Sequence, residues 1–530
     1  MSSRISIADE MNRDQGAMSD KDASRAADDA MPRLSRRGLG AAAGGLAAAL
    51  GFGGRIAAPG VAAPPDGPSG PAGSVRFPDG FLWGTSSSAE SVEGAITEDG
   101  RGPSIWDTFS HTPGKTVNGD TGDVACDEYR RYEQHFDLMA TLGLRAYRFS
   151  ISWSRIMPTG AEPINPAGLD HYQRVVDALL ARGISPVITI YHWDLPQALQ
   201  DSGGWTARDT AERYADFAAT VYETLGDRVP YFLCLNEPNS QALLGYGTGQ
   251  IAPGIADPHA IFPAAHHQLL GQGLAVRAMR AVNHPAALIG TTINIIDVHP
   301  ASGSSADMAA ANLFDGIWNR TYLAPIFKGA YPEDVLDYYG KLGDTAEVIE
   351  ANDLATISSP LDFLGVNYYT SNAVAADAKP PGYRIVPPVS SSGLGSSGPD
   401  ITAMGWRVAP QGLISVLRRV RDDYTRIPLY LTETGVAYHD YVDPSGEIRD
   451  GDRIAFLDAY LRAAHDAIAD GVDLRGLIVW CFQDNFASTN GYSIKFGLAW
   501  TDFVSQQVIP KQSAAWYRDV IARNGLAPRS

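Results

Sequence analysis

The chain has 530 residues, of which 45% are hydrophobic and 19% charged, a balance that excludes global disorder and supplies a large core. Lys and Arg number 42 against 60 Asp and Glu, and the resulting formal charge of −18 speaks against nucleic-acid and anionic-membrane partners. Cys126, Cys234 and Cys481 are far apart and odd in number, so they form neither a zinc pattern nor a disulfide framework and leave at most one bridge.

In chain order, residues 1–75 come first and differ in composition from everything after them. Ser35-Arg-Arg-Gly-Leu-Gly leads into a Gly/Ala/Leu run from Ala41 to Gly54 and then a Pro/Ala/Gly stretch from Ala57 to Gly73. A charged segment, a mild apolar run and small residues predict a cleavable export signal, with cleavage near Ala58 or at Ala62 and Ala63. The adjacent Arg36 and Arg37 resemble the twin-arginine type, a receptor-read address. That type implies the twin-arginine export machinery as partner and a secreted or periplasmic destination. The run is too short and Gly-rich for a permanent membrane span. The acidic stretch before Met31 is atypical of a signal and makes Met31 a rival start to Met1. A disordered linker is expected to end near Ser74, leaving residues 76–530 as one domain.

From there short β-branched or apolar runs recur: Phe81 to Thr85, Ala146 to Ile151, Pro186 to Tyr191, Tyr231 to Leu235, Leu288 to Ile293, Phe363 to Tyr368, Leu429 to Thr432 and Leu477 to Trp480. Helical periodicity lies between most of them, as in Asp127 to Leu142, Asp170 to Ala181, Ala207 to Leu225, Gln411 to Asp423 and Arg453 to Asp470. Eight strands with intervening helices predict an α/β chain folded as a (β/α)8 TIM barrel. A doubly wound sheet is the rival, but no Gly-x-Gly-x-x-Gly follows a strand and no phosphate loop is present. Two segments, Ser302 to Ala311 and Ala373 to Thr402, break the pattern and read as long loops.

Reactive groups in such a barrel belong at the carboxyl ends of its strands. Those ends carry Arg148; His192 and Trp193; Asn236 and Glu237; Asn294; Asn367 and Tyr369; Glu433; and Trp480. Two are carboxylic acids, and a carboxyl pair facing one pocket is what glycosidic cleavage needs: one to protonate the leaving oxygen, one to attack or to activate water. Strand-end carboxylates also serve as metal ligands. Here the neighbours are Asn, Tyr, Arg and Trp rather than further His or Asp, so neither a metal nor an organic cofactor is expected. Strand alternation points Cys234 and Asn236 to the same side, and a packing role is expected for the cysteine.

From about Phe77 to Gly525 the chain resembles glycoside hydrolase family 1, the β-glucosidase family. The resemblance rests on seven colinear stretches. They are Phe77-Pro-Asp-Gly-Phe-Leu-Trp-Gly-Thr85, Gly100-Arg-Gly-Pro-Ser-Ile-Trp-Asp-Thr-Phe-Ser110, Tyr147-Arg-Phe-Ser-Ile-Ser-Trp153, Tyr191-His-Trp-Asp-Leu-Pro-Gln-Ala-Leu199, Leu235-Asn-Glu-Pro238, Asp362-Phe-Leu-Gly-Val-Asn-Tyr-Tyr369 and Thr432-Glu-Thr-Gly435. The resemblance implies a retaining β-glycosidase acting on a small β-glycoside, with Glu433 as nucleophile and Glu237 as acid/base. Retention goes with carboxyl groups about 5 to 5.5 Å apart and a covalent glycosyl intermediate. It further implies Arg148 and Tyr369 beside Glu433, and Asn236 on the sugar 2-hydroxyl. His192, Trp193, Asn294, Asn367, Trp480 and Trp406 are its other expected substrate contacts.

The departures from the family pattern concern the sugar's far edge. Ser91 stands where the family has Gln. Ala487 and Ser488 stand where it has the Glu that holds the 4- and 6-hydroxyls and the Trp after it, and Thr434 replaces an Asn. Losing such charge-assisted bonds, each worth about 1.5–3 kcal/mol, weakens recognition of plain glucose and opens volume beside the 6-position. One expectation is therefore a diglycosidase acting on 6-O-glycosylated β-glucosides. The alternatives are an ordinary β-glucosidase with loop-supplied contacts, a transglycosylase, and a non-catalytic sugar binder. A 6-phosphoglycosidase is rejected, because Ile494 and Phe496 stand where that subfamily binds phosphate and Lys495 is one place out of register. Trp406-Arg407 and the segment from Ala373 to Thr402 are expected on the aglycone side. The pattern specifies no oligomeric state.

Overall fold

The computed structural model describes residues 74–343, 345–388 and 400–528. The expected export signal and linker, as far as Gly73, lie outside the described residues. Among those described, eight parallel strands close a barrel in sequence order: β1 Leu82–Ser86, β2 Ala146–Ser150, β3 Ser185–Tyr191, β4 Tyr231–Asn236, β5 Leu288–Asn294, β6 Phe363–Asn367, β7 Leu429–Thr434 and β8 Leu474–Trp480. The fold is the (β/α)8 TIM barrel, and each expected strand lies within a few residues of its observed bounds. The strands are buried on both faces, as parallel strands under crossover helices must be, so they read as apolar runs rather than alternations.

Helices pack outside the barrel: α1 Glu128–Thr141, α2 Pro166–Ala181, α3 Asp209–Leu225, α4 Ile261–Val282, α5 Ser305–Asp315, α6 Thr321–Lys328, α7 Pro410–Arg419, α8 Gly451–Ala469 and α9 Gln512–Arg523. Their apolar stripes face the outer sides of the strands, for example Tyr214, Phe217 and Val221 of α3. Inside the barrel Ala146, Val187, Leu233, Phe363, Tyr430 and Ile478 fill the interior as a packed plug, with Leu82 and Tyr231 against it. That plug is the floor on which the strand-end residues stand.

Neither expected loop is a simple loop. Residues from Ser305 to Ala311 are helical, being the first part of α5. Ser304 caps that helix by accepting a hydrogen bond from the Asp307 N–H at 3.1 Å, and the alanines after Met308 favour a helix. Within the stretch beginning at Ala373, Ser371–Ala376 pairs antiparallel with Tyr383–Val386 and parallel with Asp297–Pro300. The two segments form one rim unit. Phe314 and Ala311 of α5 pack on Val374, and the Tyr383 ring lies 5.1 Å from that of Phe314. Serine and glycine suggested loops in both places, but long-range packing overrode that local signal. Residues 389–399 lie outside the described residues.

Register shifts interrupt the ladder at the top of the barrel, among them one between Leu233 and Asn236 and one between Leu431 and Glu433. Such shifts re-aim side chains. Leu233 points into the barrel plug, whereas Cys234 packs outward with Phe232, and Asn236 again faces inward. The expected common orientation of Cys234 and Asn236 therefore fails at the shift. All three cysteines are buried free thiols. No helix among the described residues is long and apolar enough to cross a membrane.

Candidate active site

Glu237 follows the last residue of β4 in left-handed backbone, φ 45 and ψ 59, an arrangement that costs a non-glycine residue about 1–3 kcal/mol. Its N–H donates to the Thr292 carbonyl at 2.9 Å, and Pro238, with φ preset, opens a single helical turn, Pro238–Ser240. That turn brings Ser240 back so that its hydroxyl donates to Glu237 Oε2 at 2.7 Å. Asn367 Nδ2 donates to Oε1, also at 2.7 Å. Burial, reinforced by the charge of Glu433 and opposed by the Asn367, Ser240 and Asn294 hydrogen bonds, pushes the Glu237 pKa up to about 7.

Glu433, near the end of β7, is held differently. The guanidinium of Arg148 pairs with its Oε1, and the Tyr369 hydroxyl donates to its Oε2 at 2.7 Å. Burial and the neighbouring Glu433 charge raise the Tyr369 pKa well above the usual phenol range, so the ring keeps its proton to donate. Arg148 is fully buried. Its Nε donates to Thr189 Oγ1 at 2.9 Å and its Nη2 to Asn236 Oδ1 at 2.7 Å. Asn367 Nδ2 reaches the same Asn236 oxygen at 3.1 Å, and the Thr432 hydroxyl donates to Asn367 Oδ1 at 2.8 Å. A continuous chain, Glu237–Asn367–Asn236–Arg148–Glu433, thus joins the two carboxyls. A buried charge needs such a paired, hydrogen-bonded setting.

Above this chain opens a cavity of about 670 Å3. Twelve of the fourteen residues expected at the site border it, and Arg148 and Asn367 lie in the hydrogen-bonded chain that carries it. His192 Nε2 accepts from Asn236 Nδ2 at 2.9 Å, because the Asn236 oxygen is already taken by two donors. The imidazole proton therefore resides on Nδ1, which is buried with no partner among the described residues. Burial, and then the Arg148 charge, hold the His192 pKa well below its usual value, so the ring is neutral. The Trp480 ring lies 5.7 Å from it, and Trp193 Nε1 donates to the Asn236 carbonyl at 2.9 Å. Asn294 borders the cavity while its carbonyl accepts from Asn239 and from the Trp318 indole. Trp406 packs 5.4 Å from the Tyr369 ring.

Ser91 sits on the short helix Ala89–Val92 with its hydroxyl 2.6 Å from that of Ser88. Ala487 and Ser488 form a wall of small residues, and Ile494 and Phe496 continue it with apolar surface. Lys495 turns its ammonium to the Tyr492 carbonyl at 3.0 Å and to the Phe503 ring, and it does not border the cavity. Several contributors escaped the sequence reading. The i, i+3 spacing of Glu237 and Ser240 on a turn was a readable signal. Thr189 and Thr432 show only as inward-facing threonines on strands, and Glu90, also on the cavity wall, reads as one acid among many. Chemically, a carboxyl with a raised pKa and an arginine-paired carboxylate in one cavity form the combination that glycosidic cleavage requires.

Residues 74–526 match Glycosyl hydrolase family 1. The thermostable beta-glucosidase B of Thermobispora bispora is 46% identical over 462 residues, covering 86% of this chain and 92% of its own. The beta-glucosidase A of Thermotoga maritima is 40% identical over 455 residues, 85% of this chain and 99% of its own. Among solved structures, a family 1 β-glucosidase from Thermotoga maritima superposes with a TM-score of 0.81 at 40% identity, covering 86% of this chain and all, 100%, of that one. The AHE enzyme from Alicyclobacillus herbarius also superposes at 0.81, with 42% identity over 85% of this chain and 98% of its own.

Proposed function

Because the chain belongs to glycosyl hydrolase family 1, and is thereby a retaining glycoside hydrolase, we propose that it cleaves β-glucosides with Glu433 as nucleophile and Glu237 as acid/base. The observation that carries the reading is the pairing itself, a Glu237 whose pKa is raised to about 7 and a Glu433 held by Arg148 and Tyr369, joined through Asn236 and Asn367. In the first step Glu433 attacks the anomeric carbon while Glu237 gives its proton to the leaving oxygen, producing a glycosyl ester and the free aglycone. Esterification removes the Glu433 charge, which lowers the Glu237 pKa and lets it take a proton from water. That water then cleaves the ester with net retention. Asn236 keeps one Nδ2 hydrogen beyond the one given to His192, and offers it to the sugar 2-hydroxyl, a bond that strengthens toward the oxocarbenium-like transition state.

The small residues Ser91, Ala487 and Ser488 on the cavity wall support a glycone subsite with room for a substituent on the 6-hydroxyl, and hence release of an intact disaccharide. A second reading, an ordinary β-glucosidase, is favoured by the names of the relatives at 46% and 40% identity. The test compares initial rates on an aryl β-glucoside and on its 6-O-rhamnosyl or 6-O-xylosyl counterpart, with Glu433→Gln as the blank. Faster release of disaccharide supports the open subsite, and preference for plain glucoside supports the second reading. Activity that survives unchanged in Glu433→Gln removes the mechanism altogether.

The export reading rests on Arg36-Arg37 and the small-residue run after them, and it carries the division into a signal with linker, residues 1–75, and a catalytic domain, residues 76–530. Replacing both arginines with lysine is expected to strand the precursor inside the producing cell. Equal amounts outside the cytoplasm for both forms would refute twin-arginine export.

A further inference from the structure

Glu90 borders the same cavity as the two carboxyls but takes no part in the chain that joins them. It lies between Ala89 and Ser91 on the short helix after β1, and the Ser91 carbonyl accepts from the Phe486 N–H at 3.1 Å. That bond fixes the helix against the segment that continues into Ala487 and Ser488. The Glu90 carboxyl has few hydrogen bonds. Its Oε2 is shielded from solvent with no partner among the described residues, and its polar neighbours are the Ser88 hydroxyl and the Ser91 hydroxyl, the latter in a long, 3.5 Å contact with Oε1. A carboxyl offers about four acceptor sites, and leaving them empty away from bulk water is costly, typically about 1–3 kcal/mol per unsatisfied group. Glu93, three residues on, is held differently, taking Arg155 at 3.0 Å and the Tyr172 hydroxyl at 2.7 Å, whereas Asp194, also buried with few hydrogen bonds, does not border the cavity as Glu90 does.

We propose that Glu90 contacts the glycone directly, binding a hydroxyl on the sugar edge remote from the scissile bond, where Ser91 and Ala487 leave the wall without a long polar side chain. This assignment rests on the β-glycosidase reading and names the residue that sets its glycone selectivity. Its protonation fits the task. Burial, aided by the charge of Glu433 and resisted by the Ser88 hydroxyl, raises the Glu90 pKa to about 8. At neutral pH the group therefore presents one O–H donor and one carbonyl acceptor, a match for a sugar hydroxyl, which both gives and takes a hydrogen bond. A neutral acid also adds no further charge beside Glu433.

The test is a set of cycles between protein and substrate. Wild type, Glu90→Gln and Glu90→Ala are assayed on an aryl β-glucoside and on its 3-deoxy, 4-deoxy and 6-deoxy analogues. Glu90→Ala is expected to lose roughly 10-fold in kcat/KM on the parent glucoside, the size of one hydrogen bond, and to lose almost nothing on the analogue lacking the contacted hydroxyl. Glu90→Gln keeps one donor and one acceptor, and is expected to stay within about threefold of wild type on all four. A Glu90→Ala penalty of equal size on every analogue would mean that Glu90 merely shapes the wall, and so would overturn the contact. Should Glu90→Ala fold poorly, Glu90→Leu with its melting temperature measured beside it takes its place in the same cycle. Wild type indistinguishable from Glu433→Gln on all four substrates, and on the 6-O-glycosylated counterpart, overturns the β-glycosidase reading and this assignment with it.

Discussion

Glu237 and Glu433 are the same kind of side chain joined by one hydrogen-bonded chain, and it is their partners that differ. Glu433 has an arginine and a phenol, whereas Glu237 has two neutral donors, a serine and an asparagine. Because the Glu237 pKa is raised to about 7, activity should fall as pH rises through 7, and the alkaline limb of kcat/KM should report this group. Replacement with Gln should abolish that limb together with most of the activity on substrates whose leaving group needs a proton. The same shift has a stability consequence of definite sign. A carboxyl with a raised folded-state pKa favours the fold fully below its unfolded value of 4.5 and loses that advantage as pH climbs to about 7. At pH 8 the Glu237→Gln protein should therefore be the more stable of the two, by an amount on the order of 3 kcal/mol, measurable by chemical denaturation at pH 5 and pH 8. A wild type equally stable relative to the variant at both pH values would contradict the assignment of the raised pKa.

At the level of single strands, the site depends on what the barrel interior omits as much as on what it contains. Gly365 of β6 faces Thr292 and Thr432 so closely that a Cβ there would lie 2.4 Å and 2.7 Å from their hydroxyl oxygens. Since the Thr432 hydroxyl donates to Asn367, Gly365→Ala should push that hydroxyl off Asn367 and disturb the chain between the carboxyls. We expect a loss of about 1–3 kcal/mol in stability and a kcat decrease larger than any change in KM, measured by denaturation and steady-state kinetics. Unchanged kcat with unchanged stability would mean that the interior yields more readily than its packing suggests. The sequence made the strands and their functional ends legible because parallel strands buried on both faces leave continuous apolar runs, and each run stops at a polar residue. It did not reveal the register shifts before Asn236 and Glu433, which are set by pairing with neighbouring strands. Nor did it reveal the rim sheet, whose small residues carry little periodic signal and whose stability comes from α5 behind it. Glu90 went unread for a related reason: a lone acid in a chain with 60 of them stands out only once its place on the cavity wall is seen.

Across the whole molecule, the barrel's last strand is tied to its final helices by a buried ionic cluster. Lys511, just before α9, gives its ammonium to Asp440 at 2.6 Å and to Asp484 at 2.8 Å. Arg453 of α8 reaches Asp440 at 2.7 Å and Asp450 at 2.6 Å. Asp484 lies only a few residues before Ala487, so this cluster anchors the base of the open wall. Removing one partner leaves a buried charge uncompensated. Lys511→Met should therefore cost about 3–5 kcal/mol, and adding Asp484→Asn should return part of it, as a denaturation cycle would show. Strict additivity of the two changes would contradict direct coupling.

The hydrogen bonds that hold Glu237 and Glu433 come from strand ends and the turns directly after them, and none comes from the rim sheet of Asp297–Pro300, Ser371–Ala376 and Tyr383–Val386. The rim can therefore be exchanged or diversified without removing a single donor to either carboxyl, so substitutions there would report on substrate preference apart from the integrity of the pair.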